Sequence, residues 1–388
     1  MDLEAVRDKI PALSRCTYLN CGTFGPLTTP VCDEVVRLYR LIEAEGAFNP
    51  DAYETVRDAY EDAREQMARL IGAQPSEIAL TRNVSDGINI VATGFDWNSG
   101  DEVVISDEEH PSGALPWMNL AQRQGVVVRV LHLTADPEEL LQRLEKLLGP
   151  RTRLVFLSHV SSLSGLRIAA AQVTRLVHDK GIPIMLDGAH AVGQAPVDVK
   201  AIGCDFYAGC GHKWLLAPQG TGFLYVSGER LEELNLTWLG WGMTAQYDLP
   251  SLTYQPVEDA NRFEYGTKDW ALYGGLSTAI CFARKVGIDS IGARSRKLAT
   301  ELKRSLTDLP GVEMLTPLDP DASAGLVAFR TAGLAHPNPG QWLWDKHRVL
   351  VAHDAERSWM RLSAAYFLLE EEVDLLVECL SSLAGGSG

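Results

Sequence analysis

The chain has 388 residues, 46% hydrophobic and 22% charged, which is ample for a sizeable core and unlike a disordered composition. Its 51 acidic and 35 basic residues give a formal charge of −16, arguing against a general nucleic-acid binder or a protein held by charge on an anionic membrane. No stretch reaches the ~20 apolar residues of a membrane span, and seven scattered cysteines without a CxxC pair read as reduced thiols of a cytoplasmic protein.

In chain order, residues 1–15 mix acids, bases and apolar residues and lack the apolar stretch of a secretory signal. Residues 51–72 carry Val56, Tyr60, Ala63, Met67, Leu70 and Ile71 at helical spacing, one face of an amphipathic helix. Short β-branched runs then alternate with helical stretches. The predicted strands are 78–80, 103–105, 126–130, 154–157, 182–186, 206–208 and 222–226, with a helix over 169–180 closed by Gly181. This alternation predicts an α/β fold with a mostly parallel sheet covered on both faces. Residues 230–261 read as loop, with Trp238, Trp241, Pro250 and Pro256. Helices over 272–286 and 290–306 and an α/β segment to Leu383 follow. The expected division is a large domain over 16–260 and a smaller one over 261–384, with 1–15 packing on the latter and 385–388 a flexible tail.

The runs 154–157 and 182–186 are apolar on both faces, as central strands are. Ser158, His159, Asp187 and Gly211-His212-Lys213 therefore fall at carboxyl ends of strands, where open α/β sheets bind ligands. Asp187 alone would pass for a turn residue, and Lys213 alone for a solvated loop. Their placement at successive strand ends is the informative pattern.

Asp187-Gly188-Ala189-His190 followed by Gly211-His212-Lys213 resembles the fold-type I pyridoxal-phosphate enzymes, in particular the class V aminotransferase family. The resemblance implies a large domain with a mostly parallel sheet, a smaller α/β C-terminal domain, and pyridoxal 5'-phosphate as cofactor. Asp187 would keep the pyridine nitrogen protonated; Lys213 would form the Schiff base and act as base at the substrate Cα. Further motifs follow in the family's order. Thr81-Arg82-Asn83-Val84-Ser85-Asp86 resembles the strand–turn–helix that cradles the phosphate, with Val84 offering its N–H and Ser85 its hydroxyl as well. Glu109-His110-Pro111 resembles the segment whose histidine, here His110, stacks on the cofactor ring. His190 stands where many relatives carry a glutamine that bonds the phenolic oxygen. Cys210 replaces a phosphate-binding serine; a thiol donates poorly, which leaves more of the phosphate to His212 and Ser85. Arg262-Phe263-Glu264-Tyr265-Gly266-Thr267 resembles the segment that crosses to a partner subunit, implying a homodimer with shared sites in which Thr267 reaches the neighbour's phosphate. Met360-Arg361-Leu362-Ser363 resembles the motif whose arginine, Arg361, clamps the substrate carboxylate. Tyr18-Leu19-Asn20-Cys21-Gly22-Thr23-Phe24-Gly25-Pro26 resembles the N-terminal loop near the substrate, naming Asn20. The resemblance spans residues 15 to 380.

The family holds cysteine desulfurases, C–S lyases, isopenicillin-N-epimerase-like proteins and some transaminases. A desulfurase places a nucleophilic cysteine in the loop before the carboxylate-binding arginine. Residues 346–361 contain none, and the nearest, Cys379, lies beyond Arg361. Gly94-Phe95-Asp96-Trp97, Gly211-His212-Lys213-Trp214 and Trp238-Leu239-Gly240-Trp241 look like the C–S lyase branch. The expected reaction is β-elimination on cystine or a cysteine S-conjugate, giving pyruvate, ammonia and a sulfur product. An epimerase or aminotransferase is the alternative, with His110 the nameable second acid/base, and a persulfide-type cysteine desulfurase ranks behind it. A catalytically dead interaction protein is the remaining alternative, and intact Lys213 and Asp187 argue against it. No His/Cys cluster has metal spacing and no GxxxxGK[ST] loop occurs, so no metal is expected.

Overall fold

The computed structural model describes residues 1–384; the expected tail at 385–388 lies outside the described residues. Seven strands form the main sheet: β1 (Ile78–Thr81), β2 (Glu102–Ser106), β3 (Val127–Leu131), β4 (Thr152–Ser158), β5 (Ile184–Asp187), β6 (Phe206–Cys210) and β7 (Gly222–Val226). Their order across the sheet is β1-β7-β6-β5-β4-β2-β3. β7 runs antiparallel to both its neighbours, and the ladder from β6 to β3 is parallel. β5, β6 and β7 are buried at every position, which is why their sequences are apolar on both faces. β3 is an edge, and its Arg129 pairs with Glu102 of β2 at 2.9 Å, a charge on an otherwise open ladder.

The helices are α1 (Thr29–Glu45), α2 (Pro50–Ile71), α3 (Val84–Gly94), α4 (Pro111–Gln124), α5 (Pro137–Leu147) and α6 (Ala170–His178). α2 buries Val56, Tyr60, Ala63, Met67 and Ile71, as the periodicity predicts, while Leu70 stays half-buried at the margin of the stripe. Its ends follow from sequence: Asn49 caps the N-terminus through Asp51 N and Ala52 N, and Pro50 fills the first turn. After β7 the chain forms a hairpin, β8 (Thr244–Asp248) and β9 (Thr253–Pro256), where a loop was expected. The alternation Thr244-Ala245-Gln246-Tyr247 supports a strand, but exposure on both sides removes the apolar pattern that would advertise it.

Two helices, α7 (Trp270–Val286) and α8 (Ile288–Thr307), lead into an antiparallel sheet. Its strands are β10 (Glu313–Met314), β11 (Leu326–Arg330), β12 (Ala352–Asp354) and β13 (Trp359–Ser363), ordered β10-β11-β13-β12. α9 (Pro339–His347) and α10 (Glu370–Ala384) complete this part. α7 lies beyond the expected boundary at 261 yet packs on α2, with Ser277 bonded to Asp62 and Arg284 Nη1 donating to Gln66 Oε1 at 2.7 Å. The chain start meets its end: Arg7 donates to Phe367 O at 2.7 Å and pairs with Glu372 at 2.8 Å, and Thr17–Tyr18 runs parallel to Val349–Leu350.

Candidate active site

β5 ends on Asp187 itself, and β6 continues past the expected 208 to Cys210. The two strands are adjacent, with Asp187 opposite Ala208, so Asp187 and the turn carrying Lys213 emerge side by side. Asp187 is buried, and its Oδ1 accepts Ala189 N–H at 2.8 Å. Burial pushes its carboxyl up, while that N–H and the charge of Lys213 pull the other way. Burial lowers the Lys213 amine, opposed by the charges of Cys210 and Asp187; a lowered amine is more readily neutral, as a nucleophile or base must be. Lys213 Nζ lies 3.0 Å from His190 Nε2. Burial, then the charges of Lys213 and Arg361, hold His190 well below the usual histidine range. A neutral ring that accepts from Lys213 on Nε2 keeps its proton on Nδ1, which is buried without a partner. Gln194 fixes this turn: its amide donates to His190 O, and its Oε1 accepts Gly325 N–H at 2.6 Å.

The turn between β1 and α3 is capped by Asn83, whose side chain accepts Asp86 N–H at 3.0 Å. Ser85 is therefore not the cap; it lies in the first turn beside Val84, where helix N–H groups are free for an anion. Ser85 and Thr267 line one cavity of about 550 Å³ together with Arg82, Asp86 and Lys268. Arg82 is pinned there by Asp86 at 2.8 Å and donates to Tyr265 Oη at 2.8 Å. Cys210 is buried in the core beside β7, with its thiol pushed up to about 11 by burial. His212 lies 5.4 Å ring to ring from Phe24; burial and the charge of Lys213 lower it to about 4, and its buried Nδ1 lacks a partner.

His110 caps α4, its Nδ1 accepting Ser112 N–H at 3.1 Å. It is exposed, yet partial burial and the charges of Lys213 and Arg361 lower it.

Arg361 sits in β13, buried, with Nη1 donating to Ser162 O at 2.9 Å and Nη2 to Thr23 Oγ1 at 3.3 Å. Thr23 in turn donates to Asn20 Oδ1 at 2.8 Å, so Asn20 reaches Arg361 through Thr23. Arg361 Nε is buried and unpartnered, and burial lowers the guanidinium only to about 10, leaving it charged. Gly22 leaves the guanidinium its room: a Cβ there would stand 3.0 Å from Nη2. A Cβ on Gly25 would overlap the carbonyl of Lys213. Thr23, Ser162, Gln194 and Asn83 were not named from sequence. Thr23 and Asn83 lie inside the motif segments; Ser162 and Gln194 act through backbone geometry that no spacing reveals.

The buried unpaired nitrogens His190 Nδ1, His212 Nδ1 and Arg361 Nε are donor or acceptor capacity that this chain does not use. The first two rings feel the charge of Lys213, and Lys213 that of Arg361. A buried carboxyl, a lysine of lowered basicity, a helix N-terminus and an arginine with a free N–H fit pyridoxal phosphate and an amino acid. Sheet topology and site together define a fold-type I pyridoxal-phosphate enzyme. The chain belongs to the class V aminotransferase family, whose model matches residues 24–376. It is 35% identical to isopenicillin N epimerase of Streptomyces clavuligerus, over 99% of each chain. It is 33% identical to a probable cysteine desulfurase of Methanothermobacter thermautotrophicus, again over 99% of each. Among solved structures, a C-DES mutant with glycine covalently linked to the PLP cofactor superposes with a TM-score of 0.90 at 29% identity, covering 97% of this chain and 99% of that one. The cystine C–S lyase C-DES with its product cysteine persulfide gives a TM-score of 0.89, covering 96% and 99%. The protein is a pyridoxal-phosphate-dependent enzyme.

Proposed function

We propose that the enzyme is a C–S lyase that removes the Cα proton of cystine or a cysteine S-conjugate and expels sulfur from Cβ, releasing pyruvate, ammonia and a sulfur product. The observation that carries this reading is the placement of the thiols. Cys21, Cys204, Cys210 and Cys379 are buried, and burial raises each. Exposed Cys32 and Cys281 stand on α1 and α7, which carry none of the proposed site residues. Half-buried Cys16 is raised by burial and by the charge of Glu372, so among the described residues no thiol is poised to take sulfur and the product leaves as a small molecule.

Lys213 would hold the cofactor, Asp187 would face its ring nitrogen, and His190 its phenolic oxygen. Val84, Ser85 and His212 would hold the phosphate, and His110 would cover the ring. The bound cofactor supplies an electron-accepting ring that stabilises negative charge at Cα. Arg361 binds the substrate carboxylate through Nε–H and its outer face, and Asn20 and Thr23 keep the guanidinium in place. Lys213, its basicity lowered, takes the Cα proton. A disulfide sulfur departs as a persulfide, a more stable anion than a thiolate, so cystine or an activated conjugate should exceed free cysteine. Likeness to the cystine C–S lyase supports this.

Likeness to the epimerase favours a second reading, proton return to the opposite face of Cα, with His110 as donor. We further propose a homodimer in the cytoplasm, with Thr267 reaching the partner's phosphate. Incubation with cystine and cysteine conjugates, assaying pyruvate, sulfide and persulfide, tests the lyase. Pyruvate is expected; exchange of an α-deuterium label without pyruvate would replace the lyase by the epimerase.

A further inference from the structure

β2 and β4 are neighbours whose last residues are Ser106 and Ser158. The Glu109 carboxyl bridges them. Oε1 accepts from Ser106 Oγ at 2.6 Å and Ser158 N at 3.0 Å, and Oε2 from Ser158 Oγ at 2.6 Å. All three partners are neutral. Ser158 stands opposite Asp187 in the β4–β5 ladder, and the next residue, His159, donates its N–H to Asp187 O at 2.9 Å. Glu109 also immediately precedes His110. Gly113 gives it room on α4, where a Cβ would lie 3.3 Å from Oε2. Glu108 turns away, bonded to Ser161 and Ser164.

We propose that Glu109 is a positioning residue that ties His110 to the Asp187 strand end and tunes the negative charge facing the cofactor's ring nitrogen. The second clause rests on the cofactor placement above; the first does not. Ionised, Glu109 adds a second negative charge on the side of Asp187; protonated, it leaves Asp187 alone there. The groups facing it are few. Asp187 of β5 is the one whose charge bears on it. His159, just after β4, bonds Tyr207 Oη of β6 at 3.0 Å and is lowered to about 4 by burial, so it is neutral across the working range. Burial also raises Tyr207 well above its usual range, so it stays protonated. His110 is lowered by partial burial and the charges of Lys213 and Arg361, and the charge of Lys213 bears on Asp187. Burial pushes Glu109 up to about 7, and its three hydrogen bonds pull it the other way. It therefore changes charge near neutral pH.

The test titrates the visible absorbance of the cofactor-loaded enzyme, for wild type, Glu109→Gln and Ser158→Ala. Wild type should show an inflection near 7 that Glu109→Gln lacks. Ser158→Ala removes a hydroxyl that favours the ionised carboxyl, so the inflection should move to higher pH. Apoprotein gives an independent arm. The folded acid holds its proton above the ordinary 4.5, so the wild type should lose thermal stability as pH rises from 4.5 to about 7. Glu109→Gln should flatten that slope. Wild-type titration in both variants, with an unchanged apoprotein slope, would overturn the proposal. If Glu109→Gln does not fold, an unshifted inflection in Ser158→Ala does so alone. Absence of any visible band in the wild type would instead sink the cofactor placement, while the apoprotein slope would still decide whether Glu109 titrates.

Discussion

Lys213 and Asp187 differ in what their loss removes. Lys213→Ala deletes the amine that would hold the cofactor. Borohydride reduction should then trap no cofactor on the peptide spanning 211–214, and turnover should vanish. Trapping on another peptide would refute the assignment. Asp187→Asn keeps the shape and removes the charge. It should retain cofactor by absorbance yet lose roughly two to three orders of magnitude in kcat, the scale of deleting one preorganised electrostatic partner. Arg361→Lys replaces a planar fork by a point charge. With charge-assisted hydrogen bonds worth about 1.5–3 kcal/mol, KM for an amino acid should rise about 10- to 100-fold. An unchanged KM would place the carboxylate elsewhere. These three residues were legible in the sequence because their chemistry needs one residue type at one strand end or one short motif. Thr23, Ser162 and Gln194 were not, because each acts through where a loop puts one oxygen or one amide, and many residue types share that capacity.

At the scale of elements, the proposed phosphate cradle is anchored from behind. Glu264 accepts from Tyr60 and Arg64 of α2, from Leu80 N of β1 at 2.6 Å, and from Lys268 at 3.0 Å. Lys268 also donates to Leu80 O at 2.7 Å, and Arg64 to Ile78 O at 2.8 Å. One buried carboxylate thus joins α2, β1 and the segment that bears Thr267. Burial alone would raise Glu264, but Arg64 and Lys268 outweigh it and hold it below the ordinary carboxyl range. Its contribution is therefore full above the unfolded value of 4.5 and lost as acid carries the pH through the lower folded value. Glu264→Ala should destabilise by about 3–5 kcal/mol, since buried Lys268 loses its counter-charge and buried Arg64 keeps only the exposed Glu61 at 2.9 Å. Denaturant unfolding of the apoprotein at neutral pH measures this, and a loss under ~1 kcal/mol would show the cations to be well solvated. This hub leaves no signal in the sequence. Glu264 lies within the Arg262–Thr267 motif, but Tyr60, Arg64 and Leu80 reach it from far along the chain, and pairing across such distances leaves no periodic trace. The central strands were legible for the opposite reason: burial on both faces forces an unbroken apolar run.

For the whole molecule, the hairpin β8–β9 is the anomaly. Trp241 is 70% exposed, Tyr247 78%, Leu249 73% and Leu252 82%. So much exposed apolar surface on this hairpin arm and the segment leading into it is unusual for a chain that works alone. In a homodimer this arm would be covered. Sedimentation should give a dimer, and Trp241→Ser with Leu249→Ser should shift it toward monomer. A monomeric wild type with full activity would refute the shared site. Mixing two inactive variants, Lys213→Ala and Thr267→Ala, should restore part of the activity through hybrid sites.

Arg361 and Thr23 touch across 338 residues of chain, and Gly25 presses its backbone against the carbonyl of Lys213. The substrate end of the site therefore exists only once the first and last parts of the polypeptide have met. During synthesis, strand ends bearing Asp187 and Lys213 emerge long before β13 does. Contacts of such high sequence separation form late, because loop closure must be met before they reward it. Refolding should accordingly pass through a stage that binds pyridoxal phosphate but not an amino acid. Stopped-flow refolding with cofactor present should show the visible band growing in before the spectral change on adding substrate becomes available. Simultaneous appearance of both signals would mean that the two halves of the site assemble as one.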